Sequence, residues 1–300
     1  MTRLRIFRVR AGMTGMGTVL LFVFMTALAL VFLFPVAIIF TNSFMGSFEI
    51  FTRFTHNIRP GNYLHADETF HFVRLTLVPD FVSFGQYMSL LFGHVTYLAR
   101  YWNSIFLVVP ILLGQLLISA PAAYAFEMSR FRFKEWVFVV YIVVMLMPLQ
   151  VTLVPNFLMA DWLGILNSRW AIILPGMVNP FGVFIMRQFL RNLPKDYTEA
   201  AQTDGAGHVR ALAFVIAPLF KPALAAIAML TFVENWNLVE APRVFLDAAR
   251  EPLSLYLAQM ATGNSYMIFA ASFLYLLPCV LVFLYGQEFM VEGIQLSGIK

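Results

Sequence analysis

Charge is scarce in this chain: 12% of its 300 residues are Asp, Glu, Lys or Arg, against 60% apolar. Soluble domains carry about 25%, so a water-solvated globular fold is excluded. Cysteine is nearly absent as well. Cys279 stands alone, which excludes an intrachain disulfide and a thiolate metal site, and its apolar surroundings make it a packing residue. No GxxxxGK[ST] phosphate loop occurs, so nucleotide is not bound by that device here. HExxH is missing too, and the histidines at 56, 65, 71, 94 and 208 all fall outside the apolar runs. An embedded metalloprotease is thereby disfavoured.

Long uncharged runs take the place of charge. Mean hydropathy is +0.78, and residues 11–48, 101–126, 136–160 and 253–287 are each uncharged over more than the roughly 20 residues that cross hydrocarbon. Two spans are weaker: 170–186 is short, and 211–233 is interrupted by Lys221, whose long stem lets its ammonium snorkel to an interface. The expected fold is an all-α membrane protein, since an open sheet edge has no partner in lipid. Six transmembrane helices are expected, near 16–41, 101–125, 136–158, 169–189, 213–236 and 265–288. Eight prolines, among them Pro148, Pro155, Pro175 and Pro180, lie in or beside these spans. A bundle tolerates such kinks because neighbours satisfy the freed carbonyls.

Orientation follows from the basic residues. Arg53, Arg59, Arg74, Arg100, Arg169, Arg243 and Arg250 fall in segments on one side, and the other 13 of the 20 Lys and Arg on the opposite side. The positive-inside rule then puts both termini in the cytoplasm. The net charge of +4 reflects this bias and is no nucleic-acid signal. The first apolar run continues past Ala27-Leu28-Ala29, which imitates a cleavage site, to Phe40. That exceeds the roughly 7–15 residues of a signal-peptide core, so an uncleaved helix is expected. The domain reading is a cytoplasmic tail, 1–15, and one transmembrane domain, 16–300, with an extracytoplasmic loop at 42–100 and a cytoplasmic loop at 192–212. His56, His65 and His71 lie in the outer loop with Asp67 and Glu68. Imidazole and carboxylate are ordinary metal ligands, yet the spacing matches no closed site, and a solvated loop is the reading.

The cytoplasmic loop is polar and rich in small residues. Asp196 is placed to cap a helix whose third position is Glu199, with Pro194 ending the helix before it. Ala200, Ala201, Asp204, Gly205, Ala206 and Gly207 follow, and Gly205 or Gly207 can take the positive φ that closes the helix. Small side chains let another surface approach such a helix closely. Glu199-Ala200-Ala201, Gly205, Val215 and Pro218 resemble the EAA loop of binding-protein-dependent ABC importers, with Val215 and Ala217 as mild departures. Asn103-Ser104, Ala123-Tyr124-Ala125-Phe126, 163–167, 184–189, Trp236-Asn237 with Pro242, and the tail 293–300 extend the likeness. They are similar to the sugar-importing branch, and within it to the maltose-type permease subunit.

The resemblance implies a permease in a bacterial-type inner membrane, itself no enzyme. It would pair with a second, homologous permease subunit, two ATPase subunits and an extracytoplasmic solute-binding protein. No cofactor is expected in this chain; ATP and magnesium belong to the ATPase partners. Glu199, Ala200, Ala201, Asp204, Gly205 and Pro218 would form the coupling site in an ATPase cleft. Gln150, Asn156, Thr231, Glu234, Asn235 and Asn237 are the candidate substrate-path residues, sugar hydroxyls being their natural partners. Each has a plainer reading: Glu234 solvated at headgroup level, Gln150 and Asn156 satisfying carbonyls freed by Pro148 and Pro155. Leu238 stands where such proteins often carry an acid. The five tryptophans read as an aromatic belt, and Arg130, Arg132 and Lys134 as topological anchors. Residues 46–78 look longer than this subunit usually carries and are expected to touch the binding protein or partner permease. A permease for a polyol or phosphodiester, or a secondary transporter, are the alternatives.

Overall fold

The computed structural model describes residues 15–50, 78–93, 95–129, 131–194, 196–262 and 266–298. The candidate histidine group at 56–71, Arg130, Lys195 and most of 46–78 lie outside them. All regular structure among the described residues is helical. Apart from short turns at Ser47–Ile50, Gly85–Met88, Ser89–Gly93 and Ala248–Arg250, the helices are α1 (Gly15–Asn42), α2 (Val95–Met128), α3 (Lys134–Met145), α4 (Leu149–Trp162), α5 (Trp170–Met177) and α6 (Pro180–Arg191). After these come α7 (Asp196–Thr203), α8 (His208–Leu219), α9 (Lys221–Trp236), α10 (Glu240–Phe245), α11 (Leu253–Thr262) and α12 (Ile268–Gly298).

Among the described residues, four helical stretches are long and apolar enough to cross a membrane: Met16–Asn42, Val95–Met128, Trp170–Arg191 and Ile268–Phe289. The count rises to six if α3 with α4, and α8 with α9, each form one span. The helices expected at 136–158 and 213–236 are sharply bent, α3 and α4 meeting at 101° and α8 and α9 at 81°. Proline chemistry gives the reason. Pro148 sits extended at φ −65°, ψ 146° and offers no N–H to continue α3. Pro222 falls in the first turn of α9, where a missing N–H costs nothing, but it leaves the carbonyl of Pro218 without a helical donor. Across the α5–α6 break, Trp170–Arg191 still counts as one span, and Asn179 caps α6 by accepting from the Phe181 N–H at 3.0 Å, with Pro180 opening the helix.

The 34 residues of α2, about 50 Å of helix, form the spine. Its Ala123 and Tyr124 join Val183, Met186 and Leu190 of α6, Ile216 of α8 and Ile227 of α9 in one buried cluster. Nearer its start, Leu107 and Ile111 pack with Ala171, Ile172 and Ile173 of α5 and with Phe245 of α10. Close approach depends on glycine at several points, among them Gly182, where a Cβ would lie 2.5 Å from Ser119 Oγ. In contrast, α1 leans along α12 and leaves most of its apolar residues exposed.

Polar contacts gather at the two ends of this spine. At its start, Asn103 Nδ2 donates to the carbonyls of Ala249 and Glu251 at 2.9 and 3.1 Å, while its Oδ1 accepts from Arg169 at 2.7 Å. Ser104 Oγ accepts the Leu253 N–H at 2.8 Å, and the Asn167 N–H donates to Phe245 O at 3.0 Å. These bonds tie the start of α2, the α4–α5 turn and the segment from α10 to α11 together. At the far end Arg187, 8% exposed, bridges Glu127 at 3.2 Å and Glu135 at 2.7 Å. Its guanidinium also lies 3.9 Å from the Phe138 ring centroid. A charge can stay buried here because two carboxylates and a π face replace its water.

Four tryptophans are surface-exposed as a belt requires: Trp102, Trp136, Trp162 and Trp170. Trp236 departs from that expectation. It is fully buried, stacked on Phe232 and Tyr275 at 5.3 and 5.7 Å, and its Nε1 donates to Tyr275 O at 3.2 Å. Its indole N–H finds this partner inside the α9–α12 contact, so the residue is core.

Candidate functional site

The loop between α6 and α8 folds into the short helix α7. Asp196 is its first residue, so it shares the first turn with Glu199 rather than standing before it as a cap. Both carboxylates still complement the helix dipole there. Closure occurs at Gly205, with φ +82°, while Gly207 is extended at φ −68°. The Gly205 N–H donates to Gln202 O at 3.0 Å and the Ala206 N–H to Ala201 O at 2.9 Å. That pair of bonds is a Schellman motif, which satisfies the last carbonyls and fixes where the helix stops.

The two faces of α7 differ. Thr198 and Ala201 are buried, and Thr198 Oγ1 donates to Met128 Sδ, the last residue of α2, at 3.7 Å. Glu199, Ala200, Asp204 and Gly205 are exposed, as is Pro218 on α8. Among the described residues the Glu199 carboxylate has no partner. The result is a rigid, bare surface with a free anion, held from behind by α2 and α8.

A cavity of about 800 Å³ opens between the α3–α4 bend, the α5–α6 junction, the last turn of α9 and α10. It forms where helices are broken, because a bent helix leaves space a straight one would fill. Of the six candidate path residues, Asn156, Glu234 and Asn235 line it. The other three bond elsewhere. Thr231 is buried and donates to Gln115 Oε1 at 2.9 Å. Asn237 donates to Val233 O and accepts from Tyr275 OH at 2.8 Å. Gln150 reaches the Glu240 carboxylate at 3.2 Å.

Tyr141, Thr152 and Asn179 also line the cavity and escaped sequence reading. Asn179-Pro180 was the available signal, since an Asn-Pro pair marks an N-cap and hence a break inside an apolar run. No group of three or more His, Cys, Asp or Glu placed to hold a metal occurs among the described residues.

With this geometry in hand, comparison with known proteins gives a consistent result. Residues 115–287 match the family model described as binding-protein-dependent transport system inner membrane component. The arabinooligosaccharides transport system permease protein AraQ of Bacillus subtilis (strain 168) is 28% identical over 281 residues, covering 92% of this chain and 94% of that protein. The galactooligosaccharides transport system permease protein GanQ of the same organism is 28% identical over 257 residues, covering 81% and 87%. Among solved structures, a chain of a bacterial ABC transporter involved in the import of the acidic polysaccharide alginate superposes with a TM-score of 0.75. That match has 24% identity and covers 95% of this chain and 99% of that one, a likeness of fold.

Proposed function

Because the chain belongs to the family of inner membrane components of binding-protein-dependent transport systems, we propose that it is the permease half of an ATP-driven importer of mono- or oligosaccharides. It is a multi-pass inner membrane protein and a transport subunit rather than an enzyme. The carbohydrate assignment draws on relatives that carry arabino- and galactooligosaccharides. In this reading α3 with α4 and α8 with α9 are bent single spans, giving six crossings with both termini inside. The Asn103 end of α2 then faces outward and the Arg187 end faces the cytoplasm.

The partners are a second, homologous permease, two ATPase subunits that carry ATP and magnesium, and a solute-binding protein outside. Glu199, Ala200, Ala201, Asp204, Gly205 and Pro218 are the coupling residues, and α7 is the part gripped by an ATPase subunit. The single observation that carries this is α7 itself: a capped, bare helix joined through Thr198 and Met128 to the end of the spine. When the ATPase subunits close, a push on α7 reaches α2 and α8 as a rigid-body displacement. The cavity beside α9 changes access because two packings of the bundle are favoured by different states of the partners.

Copurification tests the assignment. The chain with its own operon partners is expected to retain an ATPase subunit through affinity purification, and Glu199→Lys or Gly205→Asp to lose it. Retention by both variants, or failure of the native chain to recruit any ATPase, overturns it.

A further inference from the structure

The cavity carries one sign of charge. Glu234 is the only charged residue that lines it, and no Lys, Arg or His does so among the described residues. Its carboxylate has no hydrogen-bond or ion-pair partner among the described residues, so both oxygens remain free to accept. The neighbouring groups lean the same way. Asn235 donates one Nδ2 hydrogen to Thr231 O at 2.8 Å and keeps the other, and its Oδ1 is free to accept. Thr152 spends its hydroxyl proton on Leu149 O at 3.0 Å and can otherwise only accept. Donors are fewer: Asn179 has its Oδ1 occupied by the Phe181 N–H and offers its Nδ2, Asn156 offers both sides of its carboxamide, and Tyr141 its hydroxyl.

From this acceptor-rich lining we infer that the cavity selects neutral, polyhydroxylated solutes and that Glu234 rejects anionic ones, uronates and phosphate esters among them. Sugar hydroxyls donate, and they match carboxylate and carboxamide oxygens. A carboxylate or phosphate on the solute presents only acceptors and a like charge to Glu234, which is exposed at a mostly apolar wall. The inference deepens the carbohydrate reading and rests on it. It also separates this chain from its fold relative that serves an acidic polysaccharide.

The test uses the assembled transporter, this chain with its partner permease and ATPases. Equilibrium dialysis without the binding protein measures retention of neutral galactose and glucose trimers against the matching galacturonate and glucuronate trimers, so the binding protein's own preference does not intervene. Native complex is expected to favour the neutral trimers, Glu234→Gln to narrow the ratio by about tenfold or more, and Glu234→Arg to reverse it. An unchanged ratio in both variants, with each still copurifying with its partners, overturns the filter. So does equal binding of neutral and acidic trimers by native complex. Uptake by proteoliposomes with the binding protein present separates the two levels: no ATP-dependent uptake of any saccharide overturns the carbohydrate reading and the filter together, whereas neutral uptake with an unchanged dialysis ratio overturns the filter alone.

Discussion

Arg187 shows what a buried charge requires in this protein. Its partners Glu127 and Glu135 lie 60 and 52 residues away in sequence, so local pattern reads it only as one more inside cation. Removing it as Arg187→Met leaves Glu127 half-stranded and is expected to cost about 3 kcal/mol, read as a lower unfolding temperature in detergent. Arg187→Lys should recover only part of this, because an ammonium cannot fork between two carboxylates while stacking on Phe138. Two glycines make a second contrast. A Cβ on Gly205 would meet nothing, so Gly205→Ala costs only its left-handed φ, about 1 kcal/mol. A Cβ on Gly182 would strike Ser119 and Gln115, so Gly182→Val should cost more, about 1–3 kcal/mol. The same unfolding measurement ranks them. Sequence narrows the helix-ending glycine to Gly205 or Gly207, since a glycine after a short polar helix signals its end, and the structure selects Gly205, whereas the demand on Gly182 exists only once α2 and α6 are side by side.

At the scale of elements, every expected apolar span contains helix, but two are bent pairs. Pro148 reads as a kink from sequence and Pro222 is passed over, and hydropathy averages over a bend as readily as over a straight run, so it gives no angle. Those bends create the cavity, which explains why only half of the expected path residues meet there. Thr231 is instead buried against Gln115 of α2, and the exposed Asn237 accepts from Tyr275 of α12, a choice set by α9's rotation against α2 and α12. For α7 the two faces predict separable outcomes. Ala201→Leu, on the buried face, should lower the chain's own stability by about 1–3 kcal/mol. Ala200→Leu, on the bare face, should leave thermal unfolding within about 0.5 kcal/mol and yet weaken ATPase recruitment in pull-down. Equal loss of stability from both would contradict the orientation of α7.

Across the whole molecule, many polar contacts gather at the two ends of α2, and the charge bias in the sequence predicts which end faces which side of the membrane. Charge counting alone left the weaker spans open, because Lys221 interrupts one and the other is short. The packed structure adds Asn103, Asn167 and Arg169 at one end and Glu127, Arg187 and Thr198 at the other. With Cys279→Ala as background, a membrane-impermeant maleimide is expected to label Ala248→Cys on intact spheroplasts, and Thr203→Cys only after the membrane is opened. The reverse pattern, or equal labelling of both, would contradict six crossings with both termini inside. Residues 46–78 remain an expectation from sequence, as most of them lie outside the described residues.

Energy coupling through α7 to a saccharide path is the centre of this account, and one measurement addresses both halves. Proteoliposomes holding this chain with its partner permease, ATPase subunits and binding protein should accumulate a labelled neutral oligosaccharide only when ATP is supplied, and Glu199→Lys should reduce that accumulation to background. Accumulation that persists in Glu199→Lys, or proceeds at the same rate without ATP, would contradict it.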